Sequence, residues 1–187
     1  FARRPRSCAM WRCSPSSRSD AVKVLVTGGV RSGKSAHAED LLVDRPAVTY
    51  VAAGPLPGPG DGEWAERVAA HRRRRPVHWT TVESTDVPAV LTGEGPFLVD
   101  CLGTWLTAQL DDLDWDSVGL DPRIDALVAA VAGCPDLVVV TNEVGAGVVP
   151  EHRSGRLFRD QLGLVNQRVA AACDQVHLVV AGRVLVL

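Results

Sequence analysis

Eight consecutive residues, Gly28-Gly29-Val30-Arg31-Ser32-Gly33-Lys34-Ser35, fit the spacing G-x-x-x-x-G-K-[ST] of a phosphate-binding P-loop. That motif works only where a buried strand enters, the backbone turns tightly and a helix leaves. The apolar run Val22 to Thr27 reads as the strand, and Ser35 to Leu42 reads as the helix. Glycines let successive backbone N–H groups point at phosphate oxygens, and the helix N-terminus adds the positive end of its dipole. Lys34 is expected to reach the β- and γ-phosphates, and Ser35 to help hold Mg²⁺. The chain is therefore expected to bind a nucleoside triphosphate.

The remaining pattern repeats the alternation. Further strands are expected near 47–53, 77–82, 96–100, 136–141, 175–181 and 184–187. Helices are expected near 34–43, 62–74, 85–92, 102–110, 121–132 and 153–172. This predicts an α/β fold with a mostly parallel sheet of about seven strands and helices on both faces. Pro55 to Gly60, with three prolines and two glycines, reads as a loop. Asp111 to Asp116 reads as an acidic surface loop.

At 187 residues the chain suits a single catalytic domain, placed at 21–187. Residues 1–20 carry five arginines among serines and prolines without an apolar core, and read as a disordered tail or start-site artefact, with Met10 available as an internal start. A net charge of −2 gives no pull toward nucleic acid. No apolar run reaches the roughly 18 residues of a membrane span. The five cysteines are scattered, which favours free thiols in a reducing, cytoplasmic setting.

Three segments carry chemistry beyond the P-loop. Phe97-Leu98-Val99-Asp100 reads as a strand beside the P-loop strand, ending in a carboxylate that could complete the Mg²⁺ site with Ser35. On the helix from 62 to 74, Trp64, Arg67, Val68, His71, Arg74 and Arg75 fall on neighbouring faces. His71 then lies in a dense cationic field, which disfavours the imidazolium and leaves a neutral, nucleophilic ring. The arginines suit either a solvated helix end or phosphate. His37, His78, His152 and His177 read as structural. Thr141 to Pro150 follows an apolar strand, where ligands bind in open α/β sheets. Glu143 in it is a candidate to deprotonate an acceptor hydroxyl. Arg153, Arg156 and Arg159 share a helix face, open equally to solvent or to phosphate or partner binding.

Together these segments resemble the bifunctional cobinamide kinase/cobinamide-phosphate guanylyltransferases of cobalamin biosynthesis, over about residues 22–187. The resemblance is carried by Val26 to Ser35, Ala70-His71-Arg72-Arg73-Arg74-Arg75-Pro76-Val77-His78-Trp79, Val99-Asp100-Cys101-Leu102, Thr141 to Pro150, Arg156-Leu157-Phe158-Arg159-Asp160 and Val165-Asn166-Gln167-Arg168. It implies a three-layer P-loop NTPase (RecA-like) fold. It implies phosphorylation of the aminopropanol hydroxyl of adenosylcobinamide by ATP or GTP. A GMP transfer from GTP onto that phosphate follows, giving adenosylcobinamide-GDP and pyrophosphate through a guanylylated histidine, here His71. It implies nucleotide contacts from the P-loop, from Ala53-Gly54-Pro55, from Arg72, Arg73, Arg74 and Arg75, and from Glu83, with Asp100 beside them. It also implies a homotrimer. The sequence departs from the family at Ala53 and Gly54, where many members carry Thr or Ser.

His71 is then expected to attack the α-phosphorus and, following a flexible loop, to move between the two reactions. Two other classes compete: a plain small-molecule P-loop kinase, and a regulatory NTPase that switches a protein partner. The histidine-arginine cluster argues against a switch, and the low aromatic content against nucleic acid.

Overall fold

The computed structural model describes residues 21–55, 58 and 60–187. The expected tail, Cys8, Cys13 and part of the proline-glycine loop (residues 56, 57 and 59) lie outside the described residues. So do the side chains of Trp64 and Arg67, which the helix reading placed beside His71.

The elements follow in the order β1 (Lys23–Gly28), α1 (Lys34–Leu42), β2 (Thr49–Ala52), α2 (Gly62–Arg74), β3 (Thr80–Glu83), α3 (Val87–Val90), β4 (Phe97–Asp100), α4 (Leu102–Asp112), α5 (Leu120–Gly133), β5 (Leu137–Val140), α6 (Arg153–Ala171), β6 (Gln175–Val180) and β7 (Arg183–Val186). Every expected strand and helix forms, with ends shifted by up to three residues, some shortened and some, as in α4 and α5, extended. The strands make one seven-stranded sheet in the order β3-β2-β4-β5-β1-β6-β7. All neighbours pair in parallel except β6 and β7.

Two corrections follow. The strand ending in Asp100 does not adjoin the P-loop strand, because β5 lies between them. Adjacency depends on which crossover returns where, and apolar runs do not encode that. The acidic stretch is only partly a loop, since α4 continues through Asp112. Asp112 pairs with Arg123 at 2.6 Å, and Asp111 accepts from Trp115 Nε1 at 2.8 Å.

The inner strands β1, β4 and β5 are apolar on both faces because both faces are covered, whereas the edge strands β3 and β7 are largely exposed. Val24, Val26, Leu98, Val138 and Val140 point into one core with Ala38 and Leu42 of α1. Their neighbours Leu25, Val99, Leu137 and Val139 point into the other, packed with Leu106, Ile124, Leu127 and Leu162 of the helices α4 to α6. This period-two split gives the three layers. It also sends the carboxyl ends of β1, β2, β4 and β5 to one edge. Among the described residues, no helix is long and apolar enough to cross a membrane.

Candidate active site

At that edge lies a cavity of about 670 Å³. One wall is the P-loop. Gly33 caps α1 with φ of 98°, a left-handed conformation that glycine adopts without strain. Val30, Arg31, Ser32, Gly33, Lys34 and Ser35 line the cavity, while Gly28 and Gly29 lie behind it. The buried Ser32 hydroxyl has no protein partner. Lys34 Nζ donates to the Gly29 carbonyl at 3.2 Å.

The facing wall is α2. Val68, His71, Arg72 and Arg74 line the cavity from this helix, with Arg75 just after it. His71 Nδ1 lies 3.0 Å from Asp100 Oδ2, and the same oxygen accepts from Tyr50 Oη at 2.5 Å. The surroundings of His71 therefore differ from the sequence expectation: its closest partner is a carboxylate, brought from a strand 29 residues on. Burial pushes the Asp100 pKa up, but the hydrogen bonds from His71 and Tyr50 and the charge of Lys34 outweigh burial, so the net shift is down. Burial and the adjacent carboxylate push the Tyr50 phenol far above its ordinary value, keeping it a donor. With Nδ1–H donated to Asp100, the lone pair of His71 rests on Nε2.

The arginines are mostly engaged. Arg74 pairs with Glu39 on α1 at 3.2 Å, and Arg72 pairs with Glu83 at the end of β3. The Arg75 guanidinium stacks 3.4 Å from the Tyr50 ring centre and donates to Thr81 Oγ1 at 3.1 Å, while its buried Nε has no partner. Unpaired buried donors on both walls, Ser32 and Arg75, suit an anionic occupant.

Of the residues expected here, Gly54, Pro55, Glu83 and Asp100 join the P-loop and α2 side chains in the lining. Ala53 and Arg73 do not: Ala53 is buried in the core. A Cβ at Gly54 would come within 2.8 Å of Thr104 Cβ, so α4 occupies the space that a larger residue would need. Glu143 also lies outside the lining and accepts from its own loop at Gly145 N, 2.5 Å away. Arg153, Arg156 and Arg159 of α6 are engaged by backbone carbonyls. Arg156 donates to the carbonyls of Pro150 and Glu151, Arg159 to Gly145 and Arg153 to Trp115. Arg156 and Arg159 brace the loop after β5, and Arg153 ties the start of α6 to the connection between α4 and α5. His37 and His177 bond each other at 2.9 Å, a structural role as expected.

The cavity adds residues that the sequence did not single out, Tyr50, Thr104 and Thr107, and Cys101, quoted in a family segment but given no role there. Asn142 and Phe158 also line it, although the sequence assigned them no role. Tyr50 is the chain's one tyrosine, placed in an otherwise aliphatic strand, which is a usable signal. The α4 threonines carry none, because helical hydroxyls are common on any surface.

A family model described as cobinamide kinase / cobinamide phosphate guanyltransferase matches residues 24–187. The bifunctional adenosylcobalamin biosynthesis protein CobU of Salmonella typhimurium is 44% identical over 176 residues, covering 85% of this chain and 96% of that protein. The bifunctional adenosylcobalamin biosynthesis protein CobP of Pseudomonas aeruginosa is 41% identical over 165 residues, covering 84% and 92%. Among solved structures, a prototypical ATPase from the type III secretion system of pathogenic bacteria aligns with 85% of this chain at 11% identity and a TM-score of 0.49. The chain spans 51% of the length of that ATPase.

Proposed function

The chain belongs to the cobinamide kinase / cobinamide phosphate guanyltransferase family, and we propose that this one cavity serves both of its reactions. The activities are phosphorylation of cobinamide and transfer of a guanylyl group to cobinamide phosphate. Adenosylcobinamide, then its phosphate, is the acceptor in this reading, and GTP or ATP is the donor. The observation that carries it is the hydrogen bond of His71 Nδ1 to Asp100 at 3.0 Å, in the same cavity as Lys34.

In the first reaction the acceptor hydroxyl gives its proton to solvent water and its oxygen bonds to the γ-phosphorus. The bond from that phosphorus to the β-phosphate oxygen breaks. Lys34 and the P-loop amides offset the charge that develops on the phosphoryl oxygens. In the second, His71 Nε2 attacks the α-phosphorus of GTP. An N–P bond forms, the α–β bridging bond breaks and pyrophosphate departs into the P-loop. The resulting positive imidazole is stabilised by Asp100 through Nδ1–H. The acceptor's phosphate oxygen then attacks the same phosphorus, the N–P bond breaks and His71 is restored. Dividing the transfer in this way replaces one difficult step with two easier ones. Arg72, Arg75 and Glu83 border the space for the nucleoside and its phosphates.

Ser35 and Asp100 offer a hydroxyl and an ionised carboxylate, hard oxygen donors that fit Mg²⁺. Among the described residues, no group of three or more His, Cys, Asp and Glu side chains could hold a metal alone. Phosphate oxygens and water would therefore complete the shell. Bound there, the ion would supply charge neutralisation at the phosphates.

We place the enzyme in the cytoplasm, where the free thiols Cys101, Cys134 and Cys173 stay reduced. We also propose a homotrimer. The edge strand β7 supports self-association, since Val184, Leu185 and Val186 are exposed apolar residues on a strand that pairs on one side only among the described residues.

The deciding experiment incubates the chain with α-labelled GTP and no acceptor. The expected product is an acid-labile, base-stable adduct on His71. An adduct that survives in His71→Ala refutes His71 as the nucleophile, and γ-phosphate transfer with no α-labelled adduct reduces the reading to a plain kinase. Structures with and without GTP test the motion of α2; a His71 fixed in both would refute it.

A further inference from the structure

The cavity has two ends of different chemistry. Lys34, His71, the arginines and Glu83 make one end strongly charged. The other is formed by Thr104 and Thr107 on α4, Asn142 after β5 and Phe158 on α6, none of them charged. Asn142 and Phe158 close on Gly103, whose carbonyl accepts from Thr107, while Thr104 lies against Gly54. A Cβ at Gly103 would lie 2.9 Å from Asn142 Nδ2 and 3.8 Å from Phe158 Cζ, so the cradle exists only because Gly103 has no side chain.

Asn142 is held from behind and open in front. Asn166 Nδ2 donates to its backbone carbonyl at 3.0 Å, and Thr141 Oγ1 fixes Asn166 through a 2.6 Å bond. The side-chain amide has a single partner among the described residues, the Cys101 sulfur at 3.9 Å, a weak acceptor. Its donors and its carbonyl therefore face the cavity with hydrogen-bonding capacity to spare. The Thr107 hydroxyl donates back to the Gly103 carbonyl at 3.0 Å, which leaves it as an acceptor toward the cavity. The Thr104 hydroxyl donates to the Cys101 carbonyl at 2.9 Å and accepts from Cys101 N at 3.4 Å, which leaves it one lone pair.

We propose that this neutral end seats the acceptor: the short amide-linked arm whose hydroxyl is phosphorylated first and guanylylated second. The inference rests on reading the cavity as the site of both reactions. The nucleotide's phosphates need the charged end. The acceptor enters as a neutral alcohol, and a neutral alcohol on an amide arm is best met by uncharged donors and acceptors with an apolar floor. Phe158 provides that floor. Asn142 can pair with an amide in both directions.

The test measures KM for adenosylcobinamide and for the nucleotide in the kinase reaction, for Asn142→Ala, Thr107→Val and Gly103→Ala. Losing one neutral hydrogen bond should raise the acceptor KM by about tenfold in Asn142→Ala. Gly103→Ala should raise it more, by filling the cradle. The nucleotide KM should move by less than about twofold. Should Gly103→Ala fail to fold, the other two variants decide. An acceptor KM unchanged in both overturns the proposal. So does a nucleotide KM that rises tenfold while the acceptor KM stays put, which would give this end to the nucleoside. The adduct experiment separates the two readings: with no adduct even in the unsubstituted chain, the guanylylated histidine fails while the kinase KM values still judge the acceptor seat.

Discussion

The two walls of the cavity are built differently. The P-loop grows out of β1, which is paired on both sides by β5 and β6, and α1 anchors it by burying Ala38 and Leu42. Among the described residues, α2 contributes nothing to either buried core. It reaches the site through polar ties: His71 to Asp100, Arg72 to Glu83 and Arg74 to Glu39. Burying one leucine is worth about 2 kcal/mol, whereas an exposed ion pair is worth about 0 to 1 kcal/mol. The phosphate grip is therefore part of the fold, and the nucleophile is held by contacts that substitution or salt can undo. A site that runs two reactions on one triphosphate has use for that division. The phosphates stay in place while the group that chooses between α- and γ-phosphorus comes and goes.

The sharpest way to break the comparison is to remove one residue from each wall. Lys34→Ala should lower both reactions by roughly 10²- to 10³-fold, since each develops charge at the phosphates it faces. His71→Ala should abolish the α-labelled adduct and guanylyl transfer yet leave cobinamide phosphorylation within about threefold. The two rates, measured side by side, read the division directly. If His71→Ala damaged phosphorylation as badly as Lys34→Ala, the walls would not be separable.

The same division explains what could be read in advance. The inner strands were legible because strands buried on both faces are continuously apolar, and β3 and β7, which are largely exposed, were legible from the β-branched and aliphatic residues in them and the turns beside them. The P-loop was legible because its function lies in the backbone, which fixes the spacing of its glycines. Sheet order was not: nothing in Phe97-Leu98-Val99-Asp100 tells that β5 comes between it and β1. The partner of His71 was hidden for the same reason. The cationic run Arg72 to Arg75 is local and visible, while Asp100 is brought in by the fold from across the sheet. The shared face of Arg153, Arg156 and Arg159 left solvent and phosphate or partner binding equally open, and the fold gives their donors to backbone carbonyls, of Trp115 for Arg153 and of the loop after β5 for the other two.

Asp100 joins the two walls, and its substitution should have an intermediate effect. Asp100→Asn should slow adduct formation by roughly tenfold or more, because an amide neither fixes the tautomer of His71 nor stabilises its positive form. The pH dependence of stability gives an independent measurement. The Asp100 pKa is lowered on folding, so the unfolded chain binds its proton more tightly. The ion's contribution to stability is then fully present above the ordinary carboxylate pKa and is lost as pH falls through the lower folded value. Denaturant titrations from neutral pH down to about pH 3 should show a steeper loss in the unsubstituted chain than in Asp100→Asn. Parallel curves would mean that the carboxylate gains nothing from His71 and Tyr50 in the folded state.

The smallest effect concerns the tie between the walls themselves. Arg74 and Glu39 join α2 to α1 at 3.2 Å, with the Arg74 side chain 43% exposed. In a double-mutant cycle of Arg74→Ala and Glu39→Ala, their coupling in stability should be about 0.5 kcal/mol, the range of an exposed pair. Kinetics should be more revealing than stability. Loosening α2 should slow adduct formation by two- to threefold while phosphorylation stays unchanged, because only the first depends on where α2 sits. Raised ionic strength should reproduce the same loss in the unsubstituted chain and add little in the double variant, since screening and deletion remove the same attraction. A coupling above about 2 kcal/mol would place α2 among the rigid parts of the fold. The contrast between a fixed grip and a movable nucleophile would then have to be given up.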